Sequence, residues 1–342
     1  MKRENKIRLM IYPVLLATLA AAGAIYLRHT RDTIPTPEGG KTVSFSWKHN
    51  NTPLSFSIPL YQSYYDWYKK QKPALYIGRE SESIREIITP VCDPSLPGRL
   101  ASKIRSLARQ EGMTRDREAE IAVSFVQAID YDFTVSPSRI QRYSYPYEVL
   151  YKQKGNCAEK AFLLVMLLNE LGFETAVFHF SEERHIGAGI GVPEEYSNYD
   201  SGFAYIETSD NFRIGSVPVE FPSISGPERA GYSSPVIEKP VLYPVSGGEP
   251  YLGIIGKTET RKALSRLKSD ITSLQGEINK KTAELKSLRE RINELRNFGH
   301  TQRHAERLSS LTEEYNLKVE DLNRLKSRHN SAVDTYNHLA RK

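Results

Sequence analysis

An α+β fold is predicted for the central body of this 342-residue chain, and three observations predict it. Between Pro97 and Gly172 the apolar residues recur at helical spacing, as in "RLASKIRSLARQ", "DREAEIAVSFVQAI" and "AEKAFLLVMLLNELG". From Phe173 onward the rhythm changes to short runs with strand character: "ETAVFHF", "HIGAGIGV", "FAYIETS" and "FRIGSVP". Helices first and then consecutive strands point to helices packed on an antiparallel meander.

The elements follow in chain order. Residues 1–8 are basic, and Leu9 to Leu27 is an uncharged run of 19 residues. Such a helix rises about 28 Å, close to one hydrocarbon core, and is expected to be a transmembrane signal anchor. A cleaved signal peptide is the alternative, with Ala20 to Gly23 as a small-residue cleavage site. Lys2, Arg3, Lys6 and Arg8 precede the run, against Arg28 and Arg31 after it. That asymmetry predicts a single-pass protein of the cell membrane, N-terminus cytoplasmic and body extracytoplasmic. Asn50-Asn51-Thr52 is a glycosylation sequon and agrees with that side.

Residues 28–40 read as a linker, and 41–75 as a β-hairpin with an aromatic helix. Val43, Phe45 and Trp47 alternate on one face, Leu54, Phe56 and Ile58 answer them, and "HNNTP" makes the turn. "YQSYYDWYKKQ" is expected to pack that hairpin against the body, which spans 76–222. Residues 223–257, rich in Pro, Gly and Ser, are expected to form a strap and linker.

Residues 258–342 carry a coiled-coil pattern. Leu267, Ile271, Leu274, Ile278, Leu285, Leu288, Ile292 and Leu295 step by threes and fours, with Lys281 at the one polar seam position. After "NFGH" the pattern resumes at Leu308, Leu311, Tyr315, Leu322, Leu325, Tyr336 and Leu339. The Gly299 break favours an antiparallel hairpin; a continuous oligomeric helix, with a partner or by self-association, is the alternative.

Charge narrows the partners. Residues 1–257 hold 29 basic and 29 acidic residues, and 258–342 hold 18 and 12. The whole excess lies interleaved on the predicted helices, which describes a solvated face, and no nucleic-acid partner is expected. Two cysteines do not make a disulfide scaffold, although a Cys92–Cys157 bridge is conceivable. "GAGIG" opens no helix and is spaced unlike a dinucleotide fingerprint. Its glycines are expected to let a strand pass close under the Cys157 helix. No metal or cofactor is expected, because the His and Cys spacings match no zinc pattern.

Cys157 is the candidate nucleophile, with a small buried residue at a helix start as the alternative. It follows Gly155 and Asn156 where a helix should begin, and a helix N-terminus lowers a thiol's pKa and offers oxyanion donors. A thiolate nucleophile needs a histidine base and an acid to orient it. His185 opens the strand "HIGAGIGV" and Glu207 lies in the next, "YIETS"; His179, before an apolar Phe, is the fallback base.

The run "YPYEVLYKQKGNCAEKAFLLVMLLNELGFETAVFHF…HIGAGIGV…YIETSDNFRIGSVP" resembles the transglutaminase-like superfamily, of papain-like fold. Gly155, Asn156, Cys157 and Glu159 stand at its G-[DN]-C-x-[DE] motif. The resemblance covers about residues 95–220 and implies Cys157 as nucleophile, His185 as base and then acid, and Glu207 as the orienting acid. Tyr147 is a candidate oxyanion donor. The chain departs from the family where Ala158 replaces a frequent second acid and where Glu207 replaces the usual Asp. The function implied is a membrane-anchored cysteine hydrolase acting on peptide or amide bonds through a thioester. The alternative is a non-catalytic binding or assembly protein working through its coiled coil.

Overall fold

The computed structural model describes residues 34–71, 73–76, 78–110, 112, 114–133, 142–219, 221, 239–297 and 301–341. The expected anchor at 9–27, its basic flank and residues 223–238 of the expected strap lie outside the described residues. Among those described, no helix is long and apolar enough to cross a membrane.

Strands β1 (Gly40–His49) and β2 (Thr52–Tyr61) form an antiparallel hairpin. Asn50 and Asn51 both have positive φ, as a two-residue primed turn requires. The register pairs Val43 with Ile58, Phe45 with Phe56 and Trp47 with Leu54, so alternation puts all six on one buried face. That face meets Phe125, whose ring lies edge-on to Phe45 at 5.1 Å. Helix α1 (Gln62–Gln71) stacks Tyr68 on Tyr147, centroids 5.3 Å apart.

Helices α2 (Glu80–Ile88), α3 (Leu96–Gln110), α4 (Arg115–Gln127) and α5 (Pro146–Lys152) surround α6 (Cys157–Glu170). Every residue of α6 from Cys157 to Leu168 is buried, Glu159 and Lys160 among them, and the remainder of that stretch is apolar on every side. Gly172, at φ 89°, ends it, and the amide of Phe173 turns back to the carbonyl of Leu168. Between α4 and α6, β3 (Asp130–Tyr131) and β4 (Lys154–Gly155) make a short parallel pair.

The sheet is antiparallel in the order β7-β6-β5-β8. Its strands are β5 (Thr175–Phe180), β6 (His185–Gly191), β7 (Phe203–Ile206) and β8 (Val241–Ser246). Two expectations are corrected. "FRIGSVP" is not a strand: its chain turns at Gly215 (φ 86°), and the amide of Arg213 bonds to Ala340 instead of a neighbouring strand. The fourth strand comes from the expected strap. Pro240 and Pro244 hide it in the sequence, yet β8 lies at a sheet edge, where proline is tolerated.

Helices α7 (Thr258–Asn297) and α8 (Gln302–Ala340) run antiparallel against each other. Leu274, Ile278 and Leu285 pack with Leu322 and Leu325, and Leu288 and Ile292 with Leu311. Lys281, the polar seam position, reaches across to Asp321 at 3.2 Å.

Candidate active site

Cys157 is the first residue of α6. Asn156 caps the helix, its side-chain oxygen accepting from the amide of Glu159 at 3.1 Å. Glu159 returns the bond to the amide of Asn156 and accepts another from Ser144 at 2.7 Å. The motif acid two residues after the cysteine is therefore a structural clamp, one half of a capping box. Helix geometry leaves the amides of Cys157 and Ala158 without an acceptor inside the helix.

His185 begins β6, and Glu207 follows the last residue of β7 in the adjacent strand. His185 Nε2 and Glu207 Oε2 are 3.0 Å apart, and the imidazole also hydrogen-bonds the Cys157 sulfur. His185 Nε2 also lies 3.1 Å from the Tyr205 hydroxyl. Glu207 is held from all sides. Its Oε2 also accepts from the Tyr205 hydroxyl at 2.6 Å, and its Oε1 accepts from the amides of Thr208 and Ser209 and the Ser209 hydroxyl.

Burial opposes charge on all three groups, and their mutual attraction overcomes it. Burial would lower His185, but the charge of Glu207 and then that of Cys157 outweigh it and push the imidazolium up to about 10. Burial would raise Glu207, but the charge and hydrogen bond of His185, with Ser209 and Tyr205, hold it at about 2. Burial would likewise raise the Cys157 thiol. The charge of His185, its hydrogen bond and the amide of Ile186 hold it below its ordinary value. The arrangement favours a thiolate–imidazolium pair beside a carboxylate.

Residues 100–189 match the family model of the transglutaminase-like superfamily. The match contains Cys157 and His185 and stops short of Glu207. No curated protein and no solved structure matches the chain. The family supports a domain of the cysteine hydrolase or transferase type on an α+β framework.

The site is nearly closed. His185 and Glu207 have no exposed surface and Cys157 keeps 6%. Phe221 stacks on the imidazole, centroids 3.9 Å apart and planes 14° from parallel. The loop after Glu207 is tied on two sides. Thr208 Oγ1 donates to the carbonyl of Cys157 at 3.1 Å, and the α8 end holds its far half. There the Tyr336 hydroxyl donates to the carbonyl of Val217, and Arg341 pairs with Asp210 at 2.6 Å. Phe212 and Val219 pack among Leu264, Ile271, Tyr336 and Ala340.

Other sequence candidates fall elsewhere. His179 pairs across β5 with Ile186 and Val241 and lies near Tyr243; burial lowers its pKa. Tyr147 uses its hydroxyl on the backbone of Tyr61, so it is an anchor for the hairpin and not an oxyanion donor. Cys92 and Cys157 are free thiols, and burial pushes Cys92 up to about 11. The glycines of "GAGIG" face away from α6: a Cβ at Gly187 would strike Tyr205, and one at Gly189 would strike Phe178. They make room for aromatic rings on the opposite face of the sheet. Among the described residues no group of three or more His, Cys, Asp or Glu is placed to hold a metal.

Sequence reasoning missed Tyr205, Phe221, Gln127 and Lys160. Tyr205 had a signal, since it lies two residues before Glu207 and strand alternation puts both on one face. Phe221 had none, standing in a Pro-rich stretch with no periodicity.

Proposed function

We propose that this chain is a cysteine hydrolase of the transglutaminase-like type, with Cys157 as nucleophile, His185 as general base and acid, and Glu207 as the group that orients the imidazole. The observation that carries it is the chain of contacts from Cys157 to His185 to Glu207, with Nε2 and Oε2 at 3.0 Å in a buried setting. In this mechanism the thiolate attacks an amide carbonyl, and the C=O electron pair moves onto oxygen. The unclaimed amides of Cys157 and Ala158 stabilise that oxyanion. Collapse breaks the C–N bond, His185 delivers its proton to the leaving amine, and a thioester remains. Water, deprotonated by His185, attacks the thioester; the C–S bond breaks, the acid product leaves, and the thiolate–imidazolium pair is restored.

Glu207 keeps the imidazole in one tautomer, and Phe221 excludes water from the ion pair, which strengthens it. Hydrolysis is favoured over transfer to an amine, because excluding water for an acceptor amine demands a dedicated second site. The proposal includes a membrane anchor at Leu9–Leu27 with the body outside, supported by the uncharged run and its basic flank. It also takes α7 and α8 as a coiled coil that pins the Glu207 loop.

The test is incubation of the full chain with an unfolded protein substrate, followed by analysis of new N-termini, released ammonia and incorporated amine. New N-termini or ammonia are expected, lost in Cys157→Ala. The absence of any Cys157-dependent product, together with Cys157 alkylation no faster than that of Cys92, would overturn it.

A further inference from the structure

Lys160 stands one turn beyond Cys157 on α6, a spacing that places the two on one face of the helix. It has no exposed surface. Its Nζ donates to the carbonyls of Gln127 at 3.1 Å and Ile129 at 2.6 Å, at the C-terminal end of α4. The side-chain amide of Gln127 then donates to the carbonyls of Glu207 at 2.8 Å and Phe212 at 2.7 Å. A continuous set of hydrogen bonds thus runs from the cysteine helix through Lys160 and Gln127 to the acid loop.

We propose that Lys160 is a positioning residue for Cys157 and Glu207, tying α6 to the acid loop through Gln127 and supplying the positive charge that balances the buried site. This rests on the Cys157–His185–Glu207 reading. Capping the end of α4 does not need an ammonium, and a buried cation costs several kcal/mol that an apolar chain of the same length avoids. The groups facing it explain its presence. Burial draws Lys160 down to about 8, while Glu207, Asp130, Asp210 and Cys157 act, in that order, to keep it charged. A thiolate, an imidazolium and a carboxylate together carry one negative charge. That charge remains when the sulfur is acylated and the imidazole neutral. Lys160 cancels it in both states.

The experiment follows iodoacetamide labelling of Cys157 against pH in the full chain, for wild type, Lys160→Met, Lys160→Gln and Lys160→Arg. The Met and Gln variants are expected to raise the midpoint by about one pH unit, a tenfold slower labelling below it, and Arg to restore it. A lysine that only supports the fold would change stability and leave the midpoint in place. A folded Met or Gln variant with the wild-type midpoint overturns the proposal. Should neither fold, the Lys160 Nζ resonance of the wild-type protein decides. An ammonium at pH 7 supports the charge balance, and a neutral amine overturns it. Wild-type Cys157 labelling no faster than Cys92 would instead overturn the triad reading, and this proposal with it.

Discussion

Replacing Glu207 with glutamine removes one charge and leaves the volume unchanged. The orientation of the new amide is dictated by its neighbours. Three donors, the amides of Thr208 and Ser209 and the Ser209 hydroxyl, face Oε1, so the glutamine oxygen stays there. Its NH2 group then points at the Tyr205 hydroxyl and at His185 Nε2. To avoid two facing donors, the imidazole must carry its proton on Nδ1, and Nε2 must accept. The neutral thiol–imidazole state is thereby favoured over the ion pair. Opposite charges 3.0 Å apart attract by about 5 kcal/mol at an effective dielectric near 20. The thiolate fraction at pH 6 should therefore fall by roughly four powers of ten. The assay is iodoacetamide labelling of the full chain between pH 5 and 10, with the Cys157 peptide quantified by mass spectrometry. Cys92, pushed up to about 11, serves as the internal reference. The expected result is rapid wild-type labelling at pH 6 that Glu207→Gln abolishes and high pH restores. Equal rates and equal midpoints in the two proteins would refute the reasoning.

The same groups set the pH range of stability. Glu207 is held at about 2 against an ordinary 4.5, so its contribution, about 3 kcal/mol, is present above 4.5 and lost as pH falls toward 2. His185 is raised from 6.5 to about 10, so its contribution is full below 6.5 and lost as pH rises through 10. Urea unfolding across pH 2–11 should show stability declining on both sides of a plateau between about 4.5 and 6.5, and a Glu207→Gln protein should lack the acid limb. Asn156→Ala removes the cap of α6 and should cost about 1 kcal/mol by urea unfolding, with Asn156→Gly costing only a few tenths. Tyr336→Phe leaves the carbonyl of Val217 without its hydroxyl donor and should cost about 1–3 kcal/mol, read as a lowered midpoint in the same experiment.

Local patterns in the sequence predicted local structure well. The alternation of Val43, Phe45 and Trp47 and the Asn50-Asn51 turn specify the hairpin within twenty residues, and the apolar run after Asn156 specifies a buried helix. The three residues of the proposed triad could be picked out because each stands at the start or end of an element with clear periodicity. β8 and the course of the chain at Arg213 were not legible, because their backbone partners, β5 and Ala340, lie more than sixty residues away in the chain. Lys160 escaped notice for a related reason. A lysine on an apolar helix looks like a solvated interruption until the carbonyls of Gln127 and Ile129 are seen at its tip.

The return of α8 to the body has a consequence for the order of assembly. Cys157, His185 and the strands between them are joined by contacts that close over short stretches of chain. The loop that follows Glu207 receives its hold from Tyr336, 119 residues later than Val217. Loops of that length close slowly, and chains fold from the N-terminus as they are synthesised. A growing chain can therefore assemble its cysteine helix, its sheet and the Gln127 and Thr208 ties to the acid loop while the far half of that loop still lacks its hold. The loop gains its last support only after both long helices have been made and have paired. Chain order would thus make the stretch from Asp210 to Val219 the last part of the body to be fixed.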